Sequence, residues 1–161
     1  MNKCLFSEFV LKIAKPGSLA ALESLFRSAF SPYVKLPARE LDKNAYSWLA
    51  KSTVKGNTWD AYRKGKLVAA LAITPVGNSW SIDQIAVSVK SQGQGIGSWM
   101  LERPEDLARS KGIEKLTLDN AKVMIDLVRL YERFGFVIVR EGQPKHDKDS
   151  HTRAFMEKPP E

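Results

Sequence analysis

The chain is poor in cysteine and has no long apolar run. Its 161 residues include one cysteine, Cys4, which excludes an intramolecular disulfide framework and fits a reducing compartment. No motif surrounds Cys4, so it is not a candidate nucleophile. No apolar stretch approaches the length of a membrane span, and the N-terminus lacks the basic-then-apolar pattern of a secretory leader. We therefore expect a cytoplasmic protein without a membrane partner.

The patterns that usually bind nucleic acid or metal are also missing. The formal net charge is +7, which suits a polyanionic ligand and would also suit RNA. However, there is no arginine-rich run, no pair of aromatic RNA-binding motifs and no spacing of zinc ligands. A solvated basic surface is the simpler interpretation, and neither a metal nor a nucleic-acid partner is expected. Because repeats and linkers are absent too, residues 1–161 are predicted to form one domain.

The most informative stretch that is present runs from Ile82 to Ser98. An apolar strand pattern is followed by a polar turn, Gln92-Gly93-Gln94-Gly95-Ile96-Gly97, and then by a helical pattern. The glycines remove Cβ atoms, so a ligand can approach the backbone N–H groups, and the following helix directs the positive end of its dipole to the same place. The pattern predicts a loop that binds an anion, with phosphate as the expected group. A tight turn that binds nothing remains the alternative.

Two familiar phosphate-binding patterns do not fit this turn. A P-loop requires Lys and then Ser or Thr after its last glycine, whereas Ser98-Trp99 follows Gly97. A dinucleotide fingerprint has the spacing G-x-G-x-x-G, whereas the glycines here follow G-x-G-x-G. Neither Walker-type nucleotide binding nor a Rossmann fold is predicted.

Strand and helix patterns alternate along the rest of the chain, which favours an α/β (α+β) fold with a mixed central sheet of about six to seven strands and about four helices. Strands are predicted at Glu8–Ala14, Thr58–Arg63, Leu67–Ile73, Glu114–Leu118, Phe136–Arg140 and His151–Lys158, besides the central strand. Helices are predicted after the N-cap candidate Ser18 and at Ala38–Lys51, Ile96–Lys111 and Val123–Phe134. Within the third helix, Pro104 predicts a kink or a restart.

The hydrophobic phase changes along the central strand. Trp80 and Ile82 fall on even positions, whereas Ile85 and Val87 fall on odd ones. This shift predicts a β-bulge near Asp83-Gln84, where the polar residues cluster. A strand covered on both faces is the alternative, because it needs no constant phase.

Three segments in order resemble the GNAT superfamily of acyl-coenzyme A-dependent N-acetyltransferases. Gln92, Gly95 and Gly97 fill the pattern Q/R-x-x-G-x-G/A behind an apolar strand. The segment Tyr131–Phe136 is similar to the family's Y-x-x-x-G-F, and Phe155–Lys158 is similar to its last strand. The resemblance covers most of the chain from Trp59 to Lys158. It also implies a bulge on the central strand, which splays the sheet there.

The resemblance implies an enzyme that uses acetyl-coenzyme A, with no metal, to acetylate a primary amine by direct attack in a ternary complex. Tyr131 would direct its hydroxyl at the coenzyme A sulfur, although by helical spacing alone it is a core tyrosine. Family members often have Asn where Met124 stands, and Asn120 is a weak substitute. The expected cofactor-binding residues are Ile85, Ala86, Val87, Gln92, Gly93, Gln94, Gly95, Ile96, Gly97, Ser98 and Asn120.

The general base and the acceptor are less defined. Asp83, directly or through water from Ser81, is the best candidate base, and an acceptor for backbone N–H groups in the bulge is the alternative. Tyr33, Tyr46 and Trp48 lie where the resemblance places the acceptor site, but core packing is the more common role. The acceptor is a small-molecule or peptide amine of unknown identity, and a homodimer is compatible with the sequence. A sensor that binds acyl-coenzyme A without turnover and a basic RNA- or ribosome-associated module remain as alternative functions.

Overall fold

The computed structural model describes residues 8–30, 47–143 and 152–159. The chain forms two compact units. One contains Met1–Thr74 and Gln84–Glu102, and the other contains Pro75–Asp83 and Arg103–Glu161.

The described residues contain seven strands and four α-helices, the numbers that the sequence predicts. The second helix ends at Val54 rather than at Lys51, and the first part of the predicted helix Ala38–Lys51 lies outside the described residues. The strands are β1 (Phe9–Ile13), β2 (Thr58–Arg63), β3 (Lys66–Val76), β4 (Ser79–Val87), β5 (Lys115–Ala121), β6 (Val137–Gly142) and β7 (Arg153–Lys158). The helices are α1 (Leu19–Phe30), α2 (Trp48–Val54), α3 (Ile96–Ser110) and α4 (Ile125–Arg133), with short 3₁₀ turns at Pro16–Ser18 and Val89–Ser91. The strand order is β1-β2-β3-β4-β5-β7-β6. Strand β4 pairs parallel with β5, and β7 pairs antiparallel with both β5 and β6, so the sheet is mixed.

The β2–β3 hairpin follows directly from its turn residues. Lys64 and Gly65 both have positive φ angles, 51° and 77°. Positive φ at both central positions matches the right-handed twist of the flanking strands, and glycine adopts it without a Cβ penalty. The next turn is shorter than predicted, because β3 continues to Val76 and leaves only Gly77-Asn78 as the connection.

In the first unit the core forms between α1 and the sheet. Leu22, Leu25, Phe26 and Ala29 recur at the spacing of one helical face, and all four are buried. They belong to one cluster with Leu49 of α2, Ala70 of β3 and Ala86 of β4. The apolar periodicity of α1 therefore correctly indicates which face is buried.

A hydrogen-bonded polar pair on β2, in the same unit, joins the buried Asp60 to the half-buried Tyr62. Asp60 is only 2% exposed, and the Tyr62 hydroxyl donates a hydrogen bond to its Oδ2 at 2.9 Å. Burial raises the pKa of the Tyr62 hydroxyl, and the neighbouring Asp60 carboxylate raises this pKa further. The pair satisfies a carboxylate that would otherwise be costly to bury.

In the second unit a lysine joins three elements. Lys158 of β7 donates to the carbonyl oxygen of Phe134, just after α4. The same ammonium lies 3.1 Å from Glu105 Oε2 on α3, and both side chains are largely buried. Gly135, with φ of 95°, allows this approach, because a Cβ there would lie 3.2 Å from Lys158 Cε. The last carbonyls of α4 thus gain a charged hydrogen-bond donor.

Two predictions about individual elements need correction. The even phase of β4 does not switch, since Trp80, Ile82 and Ala86 are all buried. Ile85 and Val87 lie on the other face, where they are only half-buried and Asp83 is exposed. The buried face therefore does not change along β4, and the phase argument for a bulge is wrong. The bulge at Asp83-Gln84 itself stays a prediction.

The second correction concerns α3, which does not restart at Pro104. The helix runs unbroken from Ile96 to Ser110, and the Pro104 side chain is fully buried. Proline removes one helical hydrogen bond, and here this loss is offset by burial of its apolar ring.

Candidate functional site

The candidate anion-binding loop begins where β4 ends. The N–H of Ser88 donates to the carbonyl of Val68 at 2.8 Å, and a 3₁₀ turn follows at Val89–Ser91. The Gln92 side chain then turns back, and its Nε2 donates to the carbonyl of Val87 at 3.0 Å. A glutamine at this position therefore ties the loop to the end of the strand, which explains why the motif requires a long hydrogen-bond donor.

Glycine occupies the three positions of the loop for different structural reasons. Gly93 and Gly95 both have φ of 80°, a conformation that other residues adopt at a cost. Gly97 lies in the first turn of α3, where an added Cβ would meet Val87 Cγ2 at an ordinary 3.9 Å. The protein itself thus leaves room for a side chain at Gly97, so packing within the protein does not require glycine at this position.

The first turn of α3 presents donors at this loop. Trp99 makes the first helical bond, from its N–H to the carbonyl of Gly95 at 3.1 Å. The N–H groups of Ile96, Gly97 and Ser98 have no carbonyl within the helix, as at any helix N-terminus. Together with the helix dipole, they favour an anionic ligand. The loop is therefore suited to a pyrophosphate.

An arginine that sequence reasoning missed supports the same loop. Arg63, at the end of β2, donates to Gln94 Oε1 at 3.2 Å and to Glu8 Oε1 at 2.9 Å. Its guanidinium also lies 5.5 Å from the ring of Phe9, which in turn contacts Trp99 at 5.5 Å. No local pattern signals this arrangement, since Arg63 and Gln94 are 31 residues apart.

The predicted base lies in the second unit. Ser81 and Asp83 share one face of β4, and the Ser81 hydroxyl donates to Asp83 Oδ1 at 3.4 Å. Asp83 is exposed and Ser81 is half-buried. The two side chains that the sequence paired are thus in contact, and Asp83 remains accessible to a proton donor.

Tyr131 lies on the last turn of α4 and is half-buried. Its ring contacts Phe136 edge-on, with the centroids 6.2 Å apart. Its carbonyl accepts from the N–H groups of Phe134 and Phe136 at 3.0 and 3.1 Å, which closes the helix against the start of β6. The Y-x-x-x-G-F segment is therefore a hydrogen-bonded helix end, and the tyrosine ring packs against the phenylalanine that begins the next strand.

Asn120 offers a hydrogen-bond donor near the end of β5. It lies opposite Ala154 of β7, and its Nδ2 is buried without a hydrogen-bond partner in the described part of the chain. Buried amide groups are normally paired. An unpaired amide donor of this kind fits a ligand that presents a carbonyl oxygen, as the pantetheine arm of coenzyme A does.

The positions of the remaining candidate residues do not indicate a role in the site. Trp48 is half-buried and packs edge-on against Phe26, 5.9 Å away, which confirms its core role. Tyr33, Tyr46 and Cys4 lie outside the described residues. Within residues 8–30, 47–143 and 152–159, no group of three potential metal ligands occurs. None of the helices in these ranges is long and apolar enough to cross a membrane.

Comparison with known proteins gives the class of the chain. A family model described as the acetyltransferase (GNAT) family matches residues 19–136. The chain therefore belongs to the acetyltransferase (GNAT) family, whose members are acyl-coenzyme A-dependent acetyltransferases, and forms a GNAT-type domain with a mixed sheet. No curated protein sequence matches the chain at a significant level.

Solved structures with the same fold include several N-acetyltransferases. PaiA N-acetyltransferase from Thermoplasma acidophilum, in complex with coenzyme A, has a TM-score of 0.77 at 16% identity, and the alignment covers 94% of this chain and 98% of that one. The ribosomal-protein-S18-alanine N-acetyltransferase of Escherichia coli has a TM-score of 0.72 at 19% identity, with 94% of each chain covered. A GNAT acetyltransferase from Streptococcus pneumoniae has a TM-score of 0.69 at 22% identity, covering 94% and 99%. At these identities the likeness shows the fold alone.

Proposed function

We propose that the protein is an N-acetyltransferase that transfers the acetyl group of acetyl-coenzyme A to a primary amine within a ternary complex. The observation that carries this proposal is the geometry of the loop Gln92–Gly97. Gly93 and Gly95 have positive φ, Gly97 has room for a side chain, and the loop leads directly into the N-terminus of α3 with its free N–H groups. Such an arrangement binds phosphate oxygens through backbone donors.

Each candidate residue has a defined part in binding the donor. Gln92–Ser98 hold the pyrophosphate through backbone N–H groups, and the Arg63–Gln94 hydrogen bond keeps this loop in place. Asn120 Nδ2, which is buried and has no hydrogen-bond partner among the described residues, donates to a carbonyl of the pantetheine arm. Backbone N–H groups of Ile85–Val87 polarise the thioester carbonyl, as the family resemblance implies.

The transfer needs two proton movements besides acyl exchange. Acetyl-coenzyme A supplies a thioester, whose C–S bond breaks as the amine nitrogen forms a C–N bond to the acetyl carbon. Asp83, directly or through a water hydrogen-bonded to Ser81, takes one proton from the nitrogen, and Tyr131 gives its hydroxyl proton to the departing sulfur. The products are an amide and coenzyme A with a free thiol, so atoms and charge balance once the two side chains have exchanged protons with solvent.

A thiol-release assay tests the proposed function. The purified protein is incubated with acetyl-coenzyme A and a panel of alkylamines, polyamines, aminoglycosides, amino acids and peptides. The panel includes a peptide beginning with alanine, because the Escherichia coli structural neighbour is named for that acceptor. Amine-dependent release of thiol and the acetylated product in a mass spectrum are expected. Binding without release, for any amine, would instead favour a sensor of acyl-coenzyme A.

A thermal shift experiment isolates binding from turnover. A ligand that binds only the folded state stabilises it by about 2.7 kcal/mol at a hundred times its dissociation constant. Acetyl-coenzyme A should raise the Tm clearly, whereas NADH and ATP should raise it much less. An equal shift with ATP would indicate a generic phosphate site and contradict the proposal.

We also propose that the protein acts in the cytoplasm, where acetyl-coenzyme A and free amines coexist.

A further inference from the structure

One polar atom of the central strand β4 is buried without a hydrogen-bond partner. Within the described part of the chain, Gln84 Oε1 makes no hydrogen bond and is removed from solvent, although the residue as a whole is half-buried. A buried carbonyl oxygen loses its hydration, so it is normally paired. An unpaired acceptor of this kind requires explanation, and a ligand that supplies a donor is one.

The face of β4 on which Gln84 lies is the one covered by the N-terminal helices. Side chains two residues apart on a strand point the same way, so Gln84 shares its face with Ala86. Ala86 is 2% exposed and belongs to the cluster formed with Leu22 and Phe26 of α1 and Leu49 of α2. Gln84 Oε1 therefore lies beside an apolar cluster. A hydrogen bond made there stabilises a complex more than the same hydrogen bond would in water.

Gln84 also directly precedes the strand segment that would hold the reacting carbonyl. Ile85–Val87 are proposed above to polarise the thioester, and the inference about Gln84 rests on that function. An attacking nitrogen must come within about 3.5 Å of the acyl carbon before it reacts. Gln84 is the residue next to this segment, so its oxygen, unpaired among the described residues, is a side-chain acceptor adjacent in sequence for an N–H of that nitrogen.

We propose that Gln84 Oε1 binds the amine substrate by accepting a hydrogen bond from the N–H of its attacking nitrogen. The chemistry of the atom defines the ligand, because a carbonyl oxygen can pair only with a donor. An N–H of an uncharged or protonated amine satisfies it, and a carboxylate does not. Gln84 is a substrate-binding residue in this proposal, and it orients the nitrogen lone pair without taking its proton.

An uncharged hydrogen-bond acceptor such as Gln84 Oε1 suits a substrate amine that has to react in its uncharged form. A carboxylate beside the amine would favour the ammonium and so raise the pKa of the bound substrate. A carboxamide accepts the same hydrogen bond without adding a charge. Glutamine thus orients the nucleophile while leaving its basicity near the solution value.

The test compares Gln84→Met with wild type, using the amine found by the thiol-release assay. Methionine has a similar volume and no hydrogen-bonding oxygen. We expect KM for the amine to rise about tenfold, in line with loss of one hydrogen bond, and KM for acetyl-coenzyme A to stay within about twofold. The Tm of the variant should be equal to or above that of wild type, since a buried unpaired acceptor is removed. The same substitution at the exposed Gln143 is the matched control and should change neither KM nor Tm.

The outcomes separate this proposal from the proposed function. An unchanged KM for the amine in Gln84→Met, with a wild type that turns over, would overturn the role of Gln84 alone. A Tm several degrees lower would also overturn it, because it would show that the carboxamide stabilises the fold. If the wild-type protein acetylates no amine in the panel, both proposals fail together.

Discussion

Substitution of Gly97 tests the candidate donor site most directly, because the protein itself has room for a side chain there. An added Cβ would lie 3.9 Å from Val87 Cγ2, an ordinary van der Waals contact, and among the described residues no other atom outside the local helix backbone is within 4 Å. Gly97 is in helix α3 and its φ is not positive, so a substitution brings no backbone strain. Gly93 and Gly95, with φ of 80°, lack this advantage, because their substitution would strain the loop.

The expected magnitude follows from the hydrogen bonds that the ligand would lose. A branched side chain in Gly97→Val occupies the space through which a pyrophosphate reaches the first N–H groups of α3. Losing two hydrogen bonds to charged oxygens costs about 3 kcal/mol or more. This corresponds to a dissociation constant for acetyl-coenzyme A that is roughly 150-fold larger.

Gly97→Ala is the matched control, since the motif of the family accepts Gly or Ala at this position. Alanine favours a helix over glycine by up to about 1 kcal/mol, so this variant should be at least as stable as wild type. Its affinity for acetyl-coenzyme A should stay within about threefold of wild type, because one methyl group leaves the N–H groups accessible.

The assay is isothermal titration calorimetry of acetyl-coenzyme A with the wild-type protein and both Gly97 variants. Circular dichroism and Tm establish that each variant is folded. A folded Gly97→Val protein that binds acetyl-coenzyme A as tightly as wild type would refute the reasoning. The ligand would then have to bind elsewhere, and the loop would be a tight turn without a ligand.

Three further predictions concern catalysis, stability and pH. Tyr131→Phe keeps the ring contacts and removes only the hydroxyl, so kcat should fall about a hundredfold with little change in KM for acetyl-coenzyme A or in Tm. If steady-state kinetics show that the variant retains half of the wild-type kcat, Tyr131 has a purely structural role. Lys158→Met leaves the largely buried Glu105 with only the guanidinium of Arg109, 3.7 Å away, and removes the donor to the Phe134 carbonyl. The free energy of unfolding should fall by about 1–3 kcal/mol, as measured by urea denaturation; a loss below about 0.5 kcal/mol would contradict the assigned contacts. Because the pKa of Tyr62 is raised in the folded state above its ordinary value, the stability that Tyr62 contributes is complete below the unfolded pKa and is lost as pH rises through the folded pKa. Unfolding free energies measured from about pH 9 upward should therefore decrease for wild type more steeply than for Tyr62→Phe, and parallel curves would refute this assignment.

Local sequence determined the parts of this protein that depend on neighbouring residues in the chain. The positive φ angles of Gly93 and Gly95, the cap at Gly135 and the buried face of α1 all follow from residue type and spacing. In each case the physical cause acts within one or two turns of chain, through the missing Cβ of glycine or the period of a helix. The anion-binding loop and the order of strands and helices were predictable for the same reason.

Tertiary structure decided what depends on residues that are remote in sequence. The hydrophobic phase of β4 misled the prediction, because Ile85 and Val87 are apolar but only half-buried, whereas the buried face runs through Trp80, Ile82 and Ala86. The Arg63–Gln94 and Lys158–Glu105 contacts join residues 31 and 53 positions apart, and no local pattern encodes them. Whether Gln84 Oε1 finds a partner likewise depends on every element packed around it. A sequence indicates which groups can form a hydrogen bond, but only the packing of distant segments determines which of them are left without a partner and are available to a ligand.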